Sequence, residues 1–373
     1  MKIGNLLVNT AYLGSKVLTA IAVGATKVWE GVSKYIKFKD PIVEQLCMKW
    51  SSDGIGLTPE DAAKVTDIGT TFSQNADITS FDELNFFGVT ELKMNCFYNC
   101  VNLTSVNLSK IEVMESFTFE NSGLQGVVRM PSLKRFSSNG TFLNTKITEV
   151  DDFGAITALN GPSTFKGCGS LKRCNLPSSL VDISMSAGGG VFAFTPLEFI
   201  NLENVEQIGY NAFLSCTSLN ISLELPNLKS VGHNSFALCG SLKADLIAPK
   251  LEKTSKYCFE ETGISKVLDL GIIETLEGSS FLNCKSLNYV ILPSTLKEIG
   301  EKAFYGCSSL ATLLCNTPVP PVLGSNALIN TASSLSIYVP DESVEAYKSA
   351  TNWSAYADRI KPMSEYVEIN TAV

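Results

Sequence analysis

Apolar positions return along this chain on a nearly constant step. Phenylalanine stands at 97, 119, 142, 165, 192, 213, 236, 259, 281 and 304, with steps of 22, 23, 23, 27, 21, 23, 23, 22 and 23 residues. Three residues after Phe97, Phe165, Phe213, Phe236, Phe281 and Phe304 comes Cys100, Cys168, Cys216, Cys239, Cys284 or Cys307. Three residues further on stands Leu103, Leu171, Leu219, Leu242, Leu287 or Leu310. After Phe119, Phe142, Phe192 and Phe259 the cysteine place holds Ser122, Thr145, Thr195 and Thr262, and the next aliphatic comes one residue sooner, at Leu124, Ile147, Leu197 and Ile264. These are two forms of one turn. A unit of this length holds a strand and a turn and buries its apolar face only against a neighbour. The pattern predicts a β-rich α+β solenoid of about ten repeats of 22–23 residues.

Within each unit the polar and apolar residues alternate as in a strand. In LTSVNL, residues 103–108, Leu103, Val106 and Leu108 face in, while Ser105 and Asn107 face out. LKRCNLP (171–177) and LNYVILP (287–293) repeat the form, and the proline, with no N–H for a ladder, ends the strand. A second apolar element precedes the next phenylalanine, as in VEQIGYNAF (205–213) and LKEIGEKAF (296–304). Cysteine, serine and threonine exchange in the turn because each is small and can donate to a backbone carbonyl in a tight corner. One step past Phe304 stands Ala327, where the repeat is expected to give way to a cap. The outward positions of the early units are mostly polar, as at Arg173 and Asn175. Those of the late units are apolar or aromatic. Val267, Tyr289, Ile291, Thr312 and Leu314 therefore form a candidate docking surface, unless the C-terminal segment covers them.

AFYGCSSLATLL (303–314) and LPSTLKEIGEKAFYGCSSL (292–310) resemble the consensus of BspA-like leucine-rich repeats, and the resemblance spans roughly residues 90–330. It implies a curved leucine-rich-repeat solenoid used for adhesion or recognition rather than for a reaction. Such repeats belong to surface proteins of gut and oral bacteria, to some protists, and to viruses of those bacteria.

The ends of the chain read differently. AYLGSKVL (11–18) and AVGATKVW (22–29) share the order apolar, Gly, small, Lys, Val, apolar, with Gly14 and Gly24 at turns between short strands. The duplication resembles small β motifs at the N-termini of structural proteins of crAss-like Bacteroidales phages. That implies an anchor to other virion proteins through Tyr12, Gly14, Val17, Gly24, Val28 and Trp29; the plainer reading is a β cap for the solenoid. Next, DPIVEQLCMKW (40–50) reads as a helix with Pro41 in its first turn. Thr58, Pro59 and Asp61 read as a capped helix start, and Ser80 with Glu83 as a second capping box. This segment resembles a module that precedes BspA-like repeats, where the loop reads as a calcium loop. Here that loop is Ser51, Asp53, Ile55 and Gly56, with too few carboxylates for calcium. Near the C-terminus a strand is expected to end at Pro340. A helix follows from Glu342 or Ser343, with Val344 and Tyr347 on one face and Trp353 and Tyr356 packed beneath. The expected division is an N-terminal β motif over 1–36, a helical cap over 37–90, the repeats over 91–330 and a strand–helix cap over 331–373.

Composition narrows the chemistry. The chain has 373 residues, 45% apolar and 18% charged, with a net charge of −8, which disfavours a nucleic-acid partner. Of the eleven cysteines, six fill the repeat place; Cys47, Cys96, Cys174, Cys258 and Cys315 form no framework, so all are expected to be free thiols. No apolar run reaches a membrane span. Asn9, Thr10, Ser15 and Lys16 interrupt the first apolar stretch, so no signal peptide is expected. The single histidine, His233, is expected to be a solvated turn residue rather than the partner of Cys216 or Cys239. AGGGVF (187–192) reads as a loop insertion, and Asp151, Asp152, Glu260 and Glu261 as solvated turn carboxylates. No catalytic, cofactor or metal site is implied. The leading expectation is a phage virion structural protein, a fibre or decoration, meeting a host surface protein or glycan as a homo-oligomer. The alternative is a bacterial BspA-like cell-surface adhesin, and a cysteine hydrolase is the third class.

Overall fold

The computed structural model describes residues 11–13, 16–18, 32–136, 139–159, 161–184 and 189–367. Each repeat lays down two short strands, and the equivalent strands of successive repeats pair in parallel to make two ladders. The first ladder follows the repeat leucines. It runs through Gln125–Arg129, Lys146–Asp152, Arg173–Cys174 and Phe199–Ile200. After a break it resumes through Leu223–Glu224, Leu246–Ile247, Lys266–Asp269, Tyr289–Leu292, Thr312–Cys315, Ser336–Val339 and Ile360–Pro362. The second ladder precedes each phenylalanine and comes in three runs. These are Glu91–Leu92 to Arg135–Phe136, Asp182–Ile183 to Ser230–Val231, and Thr275–Leu276 to Val322–Leu323. The leucine-rich-repeat solenoid expected from the sequence is the fold observed.

Between the ladders the phenylalanines form a continuous stack. Neighbouring rings from Phe97 to Phe304 lie 5.1–5.6 Å apart and within 16° of parallel. All are fully buried. The stack is longer than the count of repeats foretold. Phe72 lies 5.6 Å from Phe97, and its carbonyl accepts the Cys100 thiol as later phenylalanines do for theirs. At the other end Leu328, not Ala327, takes the phenylalanine place. Phe304 N–H donates to the Ala327 carbonyl, just as Phe281 N–H donates to that of Ala303, the residue before Phe304. Thr331 then bonds the Leu328 carbonyl at 2.9 Å, in the manner of Thr145 on Phe142. The last step is 24 residues, one longer than the step before it, and a buried aliphatic fills the ring's place at the end of the row.

The two turn forms have a common chemistry. Cys168, Cys216, Cys239, Cys284 and Cys307 donate to the carbonyl of the preceding repeat's phenylalanine at 2.9–3.1 Å. Thr145, Thr195 and Thr262 donate to the carbonyl of their own phenylalanine at 2.8–3.0 Å. One carbonyl, such as that of Phe142, thus gathers the Thr145 hydroxyl, the Thr145 N–H and the Cys168 thiol. On both sides of every stacked ring from Phe97 to Phe304 except Phe192, which has Phe194 alone, the chain turns through the left-handed region. Asn211 (φ 54°) and Ser215 (φ 58°) flank Phe213, and Asn95 (φ 60°) and Asn99 (φ 56°) flank Phe97. Asparagine accepts that conformation more readily than most residues. This explains its recurrence two residues before or after the phenylalanine.

The caps are built from local signals. Helix α1, Pro41–Cys47, is capped by Asp40, whose carboxylate accepts from Ile42 and Val43 N–H and from Thr79 and Ser80. Burial opposes that charge, but the bonds from Thr79, Val43 and Ile42 hold the carboxyl below its usual value. Helix α2, Pro59–Lys64, is capped by Thr58 as expected. The second capping box is not formed. Ser80 lies in a strand with its hydroxyl unpartnered, and Glu83 accepts instead from Lys39 N–H at 2.9 Å. Helix α3, Val344–Ser349, buries Tyr347 against Trp353 with ring centroids 5.1 Å apart, and Trp353 Nε1 donates to the Pro321 carbonyl at 2.7 Å. Near the N-terminus Ala11–Leu13 pairs antiparallel with Lys16–Leu18, setting Tyr12 opposite Val17. The other anchoring residues, Gly14, Gly24, Val28 and Trp29, lie outside the described residues.

Two outcomes follow. Phe213→Ala, in the middle of the stack, is expected to cost about 3–5 kcal/mol in denaturant unfolding, since it opens a cavity between two rings. Burial pushes the thiols of Cys100 and Cys216 up to about 11 and those of Cys47, Cys168 and Cys258 up to about 12, from the usual 9.0. A pKa raised by folding gives stability that is whole below the unfolded value and is lost as pH climbs through the folded one. Unfolding midpoints should therefore hold from pH 7 to about 9 and fall above it.

Candidate functional site

Two exposed regions depart from the regular ladder. The first is the sequence-predicted stripe. Tyr289, Ile291 and Thr312 are half-buried on the outer face of the first ladder, but Val267 is fully buried. Register explains the correction. Val267 pairs with Val290, and Lys266 is the residue beside Tyr289. In this repeat the short threonine turn brings the chain into the strand one residue early, and a slip of one exchanges the two faces. Leu314 is buried too, at 7% exposure. It lies between Ile291 and Tyr338 in register. The C-terminal segment then crosses above. Tyr366 packs on Tyr338 with centroids 5.1 Å apart, and its hydroxyl donates to that of Tyr289 at 3.2 Å, so it spans the strand Thr312–Cys315 between them. Ser364 N–H donates to Asp341, which holds this strap down and keeps the Asp341 carboxyl below its usual value. Early in the same ladder, Phe199 is exposed beside the break and carries the Arg173 guanidinium 4.6 Å from its ring centroid.

The second region was not found from the sequence. In the second ladder the inward place five residues before each ring is aliphatic at Ile208, Val231, Leu276 and Ile299, but it is Thr254 in between. The next place holds Gly209, Gly232, Gly300 and Gly324, but Ser255 and Glu277 in the middle. The glycines matter here. A Cβ on Gly232 would stand 2.5 Å from the Gly209 carbonyl carbon, so those backbones pack directly on each other. With side chains at 255 and 277 that approach is closed and the ladder parts. Only the bridge from Ser230 to Lys253 remains, and the Thr254 hydroxyl replaces a backbone rung, donating to the Thr275 carbonyl and accepting from Glu277 N–H at 3.2 Å.

A groove of about 860 Å³ opens at this interruption. Tyr210 and His233 line it, stacked in parallel with centroids 4.9 Å apart, and Tyr257 tilts against the other side of the imidazole at 5.4 Å. His233 is thus not a free solvated side chain, and its Nδ1 is buried without a partner. Neither Cys216 nor Cys239 pairs with it, because both thiols point inward to phenylalanine carbonyls. Elsewhere, among the described residues, no His, Cys, Asp and Glu group could hold a metal ion. In the loop at 51–56 the Asp53 carboxylate is taken by the Lys34 ammonium at 2.7 Å and the Tyr35 hydroxyl at 2.9 Å. Asp151 and Asp152 close a strand rather than a turn, and Asp151 pairs with Arg129 at 2.8 Å. No helix among the described residues is long and apolar enough to cross a membrane.

A family model described as BspA type leucine rich repeat region matches in overlapping stretches that together run from residue 62 to residue 352. The chain belongs to that family. Similar solved structures include a leucine-rich repeat protein from Bacteroides ovatus, 18% identical over 80% of this chain and 87% of that one, with a TM-score of 0.47. Another is a leucine rich cell surface protein from Faecalibacterium prausnitzii, 19% identical over 88% and 94%, with a TM-score of 0.41. The pneumococcal vaccine antigen PcpA is 17% identical over 74% and 76%, with a TM-score of 0.41. At this level of likeness these structures add nothing to the family match. Among curated proteins none matches.

Removing the strap tests the cover over the stripe. Tyr366→Ala should raise binding of an apolar dye and speed amide exchange in Tyr289–Leu292 and Thr312–Cys315. Unchanged exchange there would show that Tyr366 only rests on the surface.

Proposed function

We propose that this protein is a non-enzymatic contact protein that presents a BspA-type solenoid to a protein or glycan on another surface. The observation that carries the reading is the inward disposal of its reactive groups. All eleven thiols are buried, and the only histidine is held in a ring stack. What faces outward is broad, rigid and repetitive, which suits recognition rather than a reaction. Sites are argued from side chains and not from folds. Here the side chains free to meet a partner are hydroxyls, carboxylates, ammonium groups and a few rings.

A bacterial cell surface is the location we favour, because the family's repeats serve adhesion. A place on a phage particle is the second reading. It rests on the duplicated AYLGSKVL and AVGATKVW, part of which forms the antiparallel pair at Ala11–Leu13 and Lys16–Leu18. Self-association accompanies either reading, since fibres and surface arrays are symmetric assemblies.

Labelled full-length protein, titrated onto epithelial and bacterial cells, should be retained saturably and recovered unchanged. Absence of saturable retention on every surface would end the contact reading. Mass spectrometry of intact cells treated with protease, beside that of purified phage particles, separates the two locations.

A further inference from the structure

We propose that the groove at the Thr254 interruption is a binding site for a short hydroxyl-rich glycan. The proposal rests on the contact reading above and names the ligand class and the residues that meet it.

Three observations converge on the groove. First, it lies where the repeat abandons its own rule at adjacent places, Thr254 for an aliphatic and Ser255 for glycine. Thr254 is held by two hydrogen bonds that keep the parted rungs in place, so the opening is built rather than frayed. Its volume, about 860 Å³, is within the range of small-ligand clefts.

Second, ionic side chains at the groove lack the partners their counterparts have. Along the row seven residues before each ring, Glu206 pairs with Lys229 at 2.7 Å and Glu274 with Lys297 at 2.7 Å. Among the described residues Glu252, between these pairs, has no ammonium at ion-pair distance, although Lys229 feels its charge, and it stands beside Glu274 in the row. Glu277, Lys253 and Lys256 also line the groove, and among the described residues none of them forms an ion pair. Carboxylates that accept and ammonium groups that donate, with Ser230 and Ser255 between them, match the mixed donors and acceptors of sugar hydroxyls.

Third, rings supply the apolar component. Tyr210 and His233 are locked face to face, so they offer edges and the tyrosine hydroxyl at no further cost in order. With Nδ1 sealed, any hydrogen bond from His233 to a ligand comes from Nε2. A protein partner is the poorer fit. Protein interfaces centre on an apolar core depleted in Glu and Lys. None of the exposed large hydrophobics of the described residues lines this groove.

The test uses full-length protein retained on cells, with cells oxidised by periodate to destroy vicinal diols as the comparison. Tyr210→Phe and Glu277→Gln keep the shape of the side chain, and Lys285→Ala, at an exposed turn outside the groove, is the control. The inference expects periodate to abolish retention. The double variant Tyr210→Phe/Glu277→Gln should weaken it about tenfold or more, as loss of two hydrogen bonds does, with an unchanged melting temperature. Lys285→Ala should bind as the parent does. Retention that survives periodate means a protein partner and overturns the inference while leaving the contact reading intact. Loss with periodate but not with the double variant places the glycan elsewhere and also overturns it. If the parent protein is retained on no cell, the contact reading fails, and this inference with it.

Discussion

Every part of this molecule depends on one constraint, the stacking of a ring on the ring before it at about 5 Å. A single repeat has no interior. Its phenylalanine gains burial and ring contacts on both faces only when the neighbouring repeats hold the same spacing. The parallel ladders run at nearly that spacing, so strand pairing and ring stacking reinforce each other. The thiol bonds from Cys168 to Phe142 and from Cys216 to Phe192 tie each turn to the previous one. The left-handed residues flanking the rings let the chain leave the core and return within a few positions.

Such regularity makes departures informative. A solenoid tolerates an odd residue wherever the next rung can still seat itself. Breaks in pairing cost hydrogen bonds and are held only where something replaces them. Thr254 does so with a side-chain hydroxyl. Beside the break between Phe199–Ile200 and Leu223–Glu224, the Asn201 amide bonds back to the rung before it, meeting both the N–H and the carbonyl of Leu176. In both places a concavity opens beside the interrupted ladder.

Much of this was legible in the sequence because the repeat writes the same contacts many times. Phe, Cys or Thr, and Leu at fixed spacing gave the core, and their exchange gave the hydrogen-bonding turn. Thr58 with Asp61, and Pro41 in a first turn, marked real helix starts. Errors came where one residue of phase decides a face. Val267 was assigned outward by counting from its ring, although the shorter turn at Thr262 had already shifted the strand. Ser80 and Glu83 had the spacing of a cap, but tertiary contact with Lys39 and strand pairing claimed them. Leu328 and Phe72 escaped because the residue type or the step changed while the geometry did not. The groove left a signal in the substitution of Thr254 and Ser255, visible only when the units are aligned and their exceptions read. Its closing contacts, such as Tyr257 against His233, lie across repeats, where no local spacing reveals them.

The thiols carry one more consequence. Each is enclosed where it sits, and even Cys284 and Cys307, close enough for their thiols to bond to each other, stand as free thiols. The same eleven sulfurs on an unfolded chain have no such enclosure. In an oxidising space any two could join, and an odd number always leaves one to seek a second molecule. A chain of this design placed outside a cell must therefore win a race. The rungs have to close over their cysteines before oxidants arrive, so its survival there is decided by the speed of folding as much as by the depth of the folded minimum.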